Sequence, residues 1–171
     1  MPSFQAMFMK SKGQPIEYQG KTLVLGDSFS TDGATRFRLT VESCGEVVRQ
    51  GVALDLLHRD QSGKWGRGAC RGTDGEFVLA GQAFNGKKGV FFWGDDAEGT
   101  IEFELRGGPE AIHVFNVWEG EDHLGHRFMD SRHNGAAMIV EEIPNGRRYR
   151  CNDGEADDDF DDIVFRLERL L

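Results

Sequence analysis

Cysteine is scarce in this 171-residue chain: Cys44, Cys70 and Cys151 are the full set, and no Cys-x-x-Cys occurs. An odd, scattered set supports neither a thiolate zinc site nor a disulfide framework, and it allows one bridge at most. Small buried hydrophobes are the expected role for all three. Proline is nearly as rare, at four residues. No stretch of about 18 apolar residues occurs, so no transmembrane helix is expected. The opening Met1–Lys10 lacks the charged n-region and continuous apolar core of a signal peptide. The expectation is a soluble protein that is cytoplasmic, exported by a route needing no such signal, or read here without its leader. A basic stripe is missing too. Arg147, Arg148 and Arg150 form the one tight basic cluster, and they stand beside an acidic run where local charge balance accounts for them. A nucleic-acid partner is therefore not expected. There is no Gly-X-Y period, low-complexity tract or internal repeat, which sets aside collagen-like, disordered and solenoid readings.

What the chain does have is 13 Phe, three Trp and 23 Gly, the last scattered between short apolar runs. Strict alternation marks strands. In Thr100–Arg106, Ile101, Phe103 and Leu105 face one way and Glu102, Glu104 and Arg106 the other. Arg36–Glu42 repeats the pattern through Phe37, Leu39 and Val41. Ile112–Trp118 is apolar on both faces, as a central strand is. Val90–Trp93, Ala136–Glu142, Arg147–Cys151 and Phe160–Leu167 complete the set. Asp32-Gly33, Asn85-Gly86, Gly107-Gly108-Pro109, Asn134-Gly135 and Asn145-Gly146 punctuate it as turns. Helical periodicity is weak. Its best candidate is Gly45–Arg59, through Val47, Val48, Val52, Leu54, Leu56 and Leu57, although Gly51 and the β-branched residues disfavour it. The pattern predicts an all-β chain folded as a single antiparallel β-sandwich over residues 1–171, of the jelly-roll kind.

The formal charge of −9 is mostly one local feature. Seven acids lie between Asp153 and Asp162; without them, 22 acids face 20 bases. Seven carboxylates in ten residues repel one another, and a divalent cation removes that penalty. Ca²⁺ takes six to eight oxygens at about 2.3–2.6 Å in irregular geometry, while Mg²⁺ demands a stricter octahedron and zinc prefers His or Cys. The run therefore reads as a Ca²⁺ loop with Asp153, Glu155, Asp157, Asp159, Asp161 and Asp162 as candidate ligands. It is no EF-hand: counting from Asp153, the sixth residue is Asp158 where Gly is required, and the twelfth is Val164 where Glu is required. Phe160, apolar among acids, is expected to anchor the loop to the core.

The stretch Asp157-Asp-Asp-Phe-Asp-Asp-Ile-Val-Phe165 resembles the acidic–aromatic–Asp–Asp–apolar signature that closes calcium-binding β-sandwich domains of bacterial surface and exported proteins. Glu141-Glu142-Ile-Pro-Asn-Gly146 is similar to the acidic pair and Gly turn that precede it in those domains. The resemblance covers about 25 residues. It implies a jelly-roll-like sandwich with a Ca²⁺ loop before the last strand, and Asp157, Asp159, Asp161 and Asp162 as ligands with Glu142 as a weaker one. The insertion of Arg147–Cys151 between the acidic pair and the loop departs from the pattern and counts against Glu142.

Two further sets of residues carry rival chemistry. Leu23-Val-Leu-Gly-Asp-Ser-Phe-Ser30 resembles the first block of GDSL-type hydrolases, with Ser28 as nucleophile, and Asp130-Ser-Arg-His133 has the spacing of their Asp-x-x-His block. The alternating strand after Ser28 and the order of blocks oppose that reading, which makes Gly26-Asp27-Ser28 a strand-end turn. His123 and His126 have the spacing of a helical metal pair, but their surroundings read as loop. For ligand recognition, a β-sandwich module offers aromatic rings and fixed polar groups to a glycan or cell-surface polysaccharide. Trp65, Trp118 and Asp122 are the candidate ligand-binding residues. The functional expectation is a calcium-binding recognition module, carbohydrate-binding or adhesion-type; a domain whose cation only stabilises it is the alternative, and an ester hydrolase the minor one.

Overall fold

The computed structural model describes residues 4–59, 65–66, 75–79, 82–83, 89–95, 99–155 and 157–171. Its strands pair antiparallel throughout. One sheet runs in the order β13 (Ala137–Ile143), β14 (Gly146–Asn152), β15 (Ile163–Leu170), β4 (Arg36–Cys44), β10 (Thr100–Arg106), β7 (Glu76–Leu79), β8 (Gln82–Ala83). The other runs β12 (Arg127–Asp130), β11 (Ala111–Glu121), β5 (Gln50–Arg59), β6 (Trp65–Gly66), with β3 (Asp27–Ser30) beside β11 and β9 (Gly89–Trp93) beside β5. Side chains from both sheets share one core: Phe37 and Leu39 of β4, Phe103 and Leu105 of β10, and Phe165 and Leu167 of β15 meet Val52, Leu54 and Leu56 of β5 and Ile112 and Val114 of β11. The all-β sandwich expected from alternation is therefore the architecture found. No described helix is long and apolar enough to cross a membrane.

Gly45–Arg59 is not a helix. Its second half is β5, with Val52, Leu54 and Leu56 at 2% exposure or less. Ala53 and Leu57 are buried on the opposite face as well, so both faces are apolar, and that mimics a helical stripe in the sequence. Gly51 belongs to the sheet for a steric reason: a Cβ there would press on the Phe92 carbonyl of β9. The one described helix, α1 (Phe4–Lys10), has no strong signal beyond Phe4 and Phe8 at i, i+4. Those two side chains join Ile16, Leu23, Ala137 and Phe160 in a second, smaller core. Ile16 and Leu23 belong to the hairpin of β1 (Ile16–Tyr18) and β2 (Lys21–Leu23). Just beyond β2, Val24 exchanges both backbone hydrogen bonds with Met138 on β13, at 3.0 and 2.8 Å.

The Asn145-Gly146 turn is displaced by one residue. Ile143 pairs with Gly146, so Pro144 and Asn145 form the two-residue connection, with Asn145 at φ 60°. Gly146 is in the strand, where a Cβ would strike the carbonyl oxygen of Leu167 and the Glu168 backbone. Gly146→Ala is expected to cost about 1–3 kcal/mol by overpacking against backbone that cannot rotate away. Urea unfolding checks it; an unchanged midpoint would show that β14 and β15 can separate without cost. The Asn85-Gly86 turn lies outside the described residues.

Candidate metal centre and adjoining cleft

The acidic run connects β14 to β15, and both flanking strands fix its ends. Asp162 donates its backbone N–H to Cys151 O at 3.1 Å, and Gly45 N–H bonds to Asp162 O at 2.7 Å. Inside the loop, Asn152 is fully buried. Its Oδ1 accepts the Phe160 N–H at 2.8 Å, and its Nδ2 donates to Asp157 O at 2.8 Å. Asn116 on β11 donates to the Asn152 carbonyl at 2.9 Å, which ties the loop to the opposite sheet. Phe160 is the expected anchor: it is 1% exposed, packs against Phe4 at a ring separation of 5.9 Å, and takes a left-handed φ of 55°. A bulky residue pays on the order of 1–2 kcal/mol for that conformation, and burial of the ring together with the Asn152 bond offsets it.

This frame draws three of the six candidate ligands together. Asp157, Asp159 and Asp162 each present a carboxylate oxygen, all within 4.8 Å of one another. Asp157 Oδ1 is sealed from solvent and has no hydrogen-bond partner. An orphaned buried acceptor costs about 1–3 kcal/mol, and more when charged. Burial, then the neighbouring Asp159, Asp153, Asp161 and Glu155, push the Asp157 carboxyl above its usual range. Asp162 is pushed up to about 7 by burial and by Asp153, Asp157 and Asp159, against the relief of the Asp153 N–H that bonds its Oδ2 at 2.8 Å.

The other candidates have different duties. Asp153 is 4% exposed; its Oδ2 accepts from Gln50 Nε2 at 2.8 Å and its Oδ1 from the Glu155 N–H at 2.7 Å. It shapes the loop from within. Glu155 is exposed. Asp161 is exposed too, and a side-chain hydrogen bond with Asp159 raises its carboxyl first of all. Glu142 is held by Arg147 at 2.7 Å, on β13. Gln50, Asn116 and Asn152 had no signal in the sequence beyond Asn152 standing next to Asp153. Their roles depend on which strands face one another.

Beside the loop is a cleft of about 550 Å³ between the β11–β12 ribbon and the Asp153–Glu155 segment. Its floor is Trp118, 5% exposed, with the Cζ2–Nε1 edge of the indole under Gly154. His133 meets the ring edge-on at 5.8 Å and pairs through Nε2 with Asp130 Oδ1 at 2.6 Å. Arg127 approaches Glu119 at 3.6 Å. Trp118 is thus placed at a cleft, but by its edge and not as a stacking face. Asp122 is elsewhere, in the β11–β12 turn, where its Oδ1 accepts from the Leu124 and His126 N–H groups. The His126 backbone bond leads the effects that hold this carboxyl below its usual value. Trp65 starts β6, and its side chain lies outside the described residues.

The hydrolase residues are not assembled. Ser28 pairs with His113, whereas Asp130 pairs with Trp118, five residues along β11, a separation of about 17 Å at strand rise. Asp27 instead pins the fold: its Oδ2 accepts the Tyr149 hydroxyl at 2.8 Å and the Arg147 guanidinium at 2.8 Å. Arg148, likewise, is divided between Glu42 and Glu141 at 2.8 Å each. His123 is exposed in the turn that Asp122 closes, and His126 pairs with Asp122 at 3.1 Å. Cys44 and Cys151 are free thiols, each opposite Ile163 from a different side of β15. Two strand spacings, about 9.5 Å, keep them beyond disulfide reach. Cys70 lies outside the described residues.

Comparison with protein-family models, with curated proteins and with solved structures gives no match.

The raised Asp162 carboxyl sets a pH dependence in the absence of divalent cations. Unfolded, this group loses its proton near pH 4; folded, it keeps it to about 7. Between those values the folded state binds more protons, so stability falls as pH rises, and the full cost is present above 7. Melting in chelator from pH 4.5 to 8 is expected to show that decline for wild type and a flatter profile for Asp162→Asn. A wild-type profile parallel to the variant's would remove Asp162 as its source.

Proposed function

We propose that this chain is a Ca²⁺-binding recognition module of the carbohydrate-binding or adhesion type, with Asp157, Asp159 and Asp162 as the protein ligands of the ion. The observation that carries the reading is the convergence of three carboxylates within 4.8 Å, one of whose oxygens is sealed from solvent and unbonded. Ca²⁺ fits the donor set: all ligands are oxygens, the carboxylates can be bidentate, and waters complete the shell. The adjoining polar cleft supports a recognition role, because a few fixed polar groups around a concave surface are what orient a small ligand. Isothermal calorimetry with Ca²⁺, followed by a glycan panel with and without chelator, tests it. Glycan binding that disappears with chelator while the circular dichroism spectrum persists is the expected result. A silent Ca²⁺ titration excludes the reading.

A second reading is a purely stabilising ion in an interaction domain. The linkage of the loop to Asn152, Asn116 and the second core favours it. Chelation would then lower the melting temperature with no glycan signal in either state.

A further inference from the structure

We infer that this chain pairs with a second copy of itself through β12, across a two-fold axis at Phe128 that continues the β12–β11–β5 sheet into the sheet of the second copy. None of the residues involved belongs to the cation loop, and the pairing needs no ion.

β12 ends its sheet, and the bonding phase of β11 fixes which β12 groups face outward. Asp122 donates its N–H to His126 O at 2.9 Å, whereas Glu119 donates the other way, to Arg49 O at 2.9 Å. Antiparallel bonding alternates along a strand. In the register Trp118↔Asp130 to Glu121↔Arg127, Phe128 and Asp130 therefore bond to β11, and the N–H and C=O of Arg127 and Met129 point away from it. Among the described residues no hydrogen-bond partner meets them there. The side chains agree. Of the seven large hydrophobic side chains exposed among the described residues, Leu124, Phe128 and Met129 fall within the single stretch 124–129. Phe128 lies across Gly120, where a Cβ would come within 2.7 Å of its ring, and the residue is still 46% exposed.

Two outward-facing residues flank one inward-bonded residue, and that spacing is its own complement. A two-fold perpendicular to the sheet at Phe128 sets Arg127 opposite Met129 of the second copy, and the reverse, which makes two reciprocal pairs of hydrogen bonds. Phe128 then stands across from Phe128 of the second copy as a non-hydrogen-bonded pair, where side chains approach most closely. Such an axis preserves the faces of the sheet, so odd-numbered residues pair with odd. The neighbouring registers call on Gly125 or Ser131, whose N–H groups are already bonded to Asp122 O and to Asp130 Oδ1. Arg127 is neutralised within its own chain by Glu119 at 3.6 Å, which frees its methylenes to cover Met129 of the second copy. A flexible foreign peptide would gain the same backbone bonds but lose its chain entropy, whereas β12 is already held extended by β11. The seam is one strand wide, below the roughly 1,200 Å² of stable complexes, so a weak dimer is expected, with Kd on the order of 0.1 mM.

Sedimentation from about 10 µM to about 1 mM, in Ca²⁺ and in chelator alike, is expected to carry the average mass from near 19.1 kDa toward twice that value. Over the same range, hydrogen-exchange NMR is expected to show the Arg127 and Met129 amide protons slowing by about fivefold, as the dimer fraction at that Kd requires. Met129→Lys sets an ammonium opposite Arg127 of the second copy and is expected to weaken the dimer about tenfold or more. The double variant Arg127→Glu/Met129→Lys turns both repulsions into opposite-charge pairs and is expected to recover it. A chain that stays monomeric at the highest concentration overturns the inference. So does a dimer that Met129→Lys leaves intact, one that the double variant fails to restore while melting as wild type does, or one in which the Arg127 and Met129 protons exchange as fast as in the monomer.

Discussion

Ca²⁺ at about 100 times its dissociation constant is expected to raise the melting temperature of this protein by about 5–10 °C. Ligation at that excess contributes about 2.7 kcal/mol, and a chain of this size shifts by about 2–4 °C for each kcal/mol. On the calcium reading proposed above, the gain would originate at Asp157, Asp159 and Asp162, where an ion would relieve mutual repulsion and supply the partner that Asp157 Oδ1 lacks. Asp162→Asn makes the argument two-sided. The amide oxygen can still accept the Asp153 N–H, but a ligand charge is gone. The variant is therefore expected to lose most of the Ca²⁺-dependent shift and, in chelator at pH 8, to melt above wild type, because the cost of ionising a half-buried carboxyl disappears. Asp159→Asn is expected to lose the shift with a smaller second gain, since Asp159 is exposed and contributes only its share of the repulsion on Asp157 and Asp162. Mg²⁺ is expected to give a smaller shift than Ca²⁺. Differential scanning fluorimetry of wild type and both variants in Ca²⁺, Mg²⁺ and chelator decides it; a Ca²⁺ shift retained by both variants would place the ion elsewhere.

Asn152→Ala is expected to cost about 3 kcal/mol, or a fall of about 6–12 °C in melting temperature. Two bonds disappear, and the consequences are unequal. The Asp157 carbonyl loses a donor, but Asp157 is only partly buried. The Phe160 N–H is buried, its acceptor is Asn152 Oδ1, and its backbone is left-handed. That orphaned donor supplies the larger part of the cost. Because the same side chain sets the path of residues 157–160, Ca²⁺ affinity is expected to fall with it, read by calorimetry at a temperature where the variant remains folded. A loss below about 1 kcal/mol would mean that the loop is held by Phe160 packing alone.

Much of this arrangement was legible in the sequence, for identifiable reasons. Alternation located β4 and β10 because each buries one face against the opposite sheet, and that leaves a period of two in the residues themselves; β11 was legible instead as a short run apolar on both faces. The acidic loop was legible because charge density in so short a span is unusual, and the isolated Phe160 identified its anchor. Gly45–Arg59 misled because β5 is buried on both faces, which erases the alternation. Which carboxylates converge was not legible. Asp153 and Asp159 look alike in the sequence, but one turns inward to Gln50, a residue 103 positions away, and the other outward to the cluster. Contacts at that separation depend on register between strands and have no local signature. The short motifs around Ser28 and His133 failed for the same reason: spacing within each block was right, but β11 holds the blocks apart.

The paired bonds between Val24 and Met138 have a consequence for assembly. β13 ends its sheet, and a terminal strand with free N–H and C=O groups is a template on which another chain can add. Val24 covers one repeat of that template, and the hairpin before it lies alongside. Growth by strand addition is thereby obstructed on this side, and the segment that obstructs it also carries Leu23, packed in the same small core as Phe160. Peeling the hairpin away would therefore expose a sheet margin and withdraw a packing partner of Phe160, the anchor of the acidic loop, in one event.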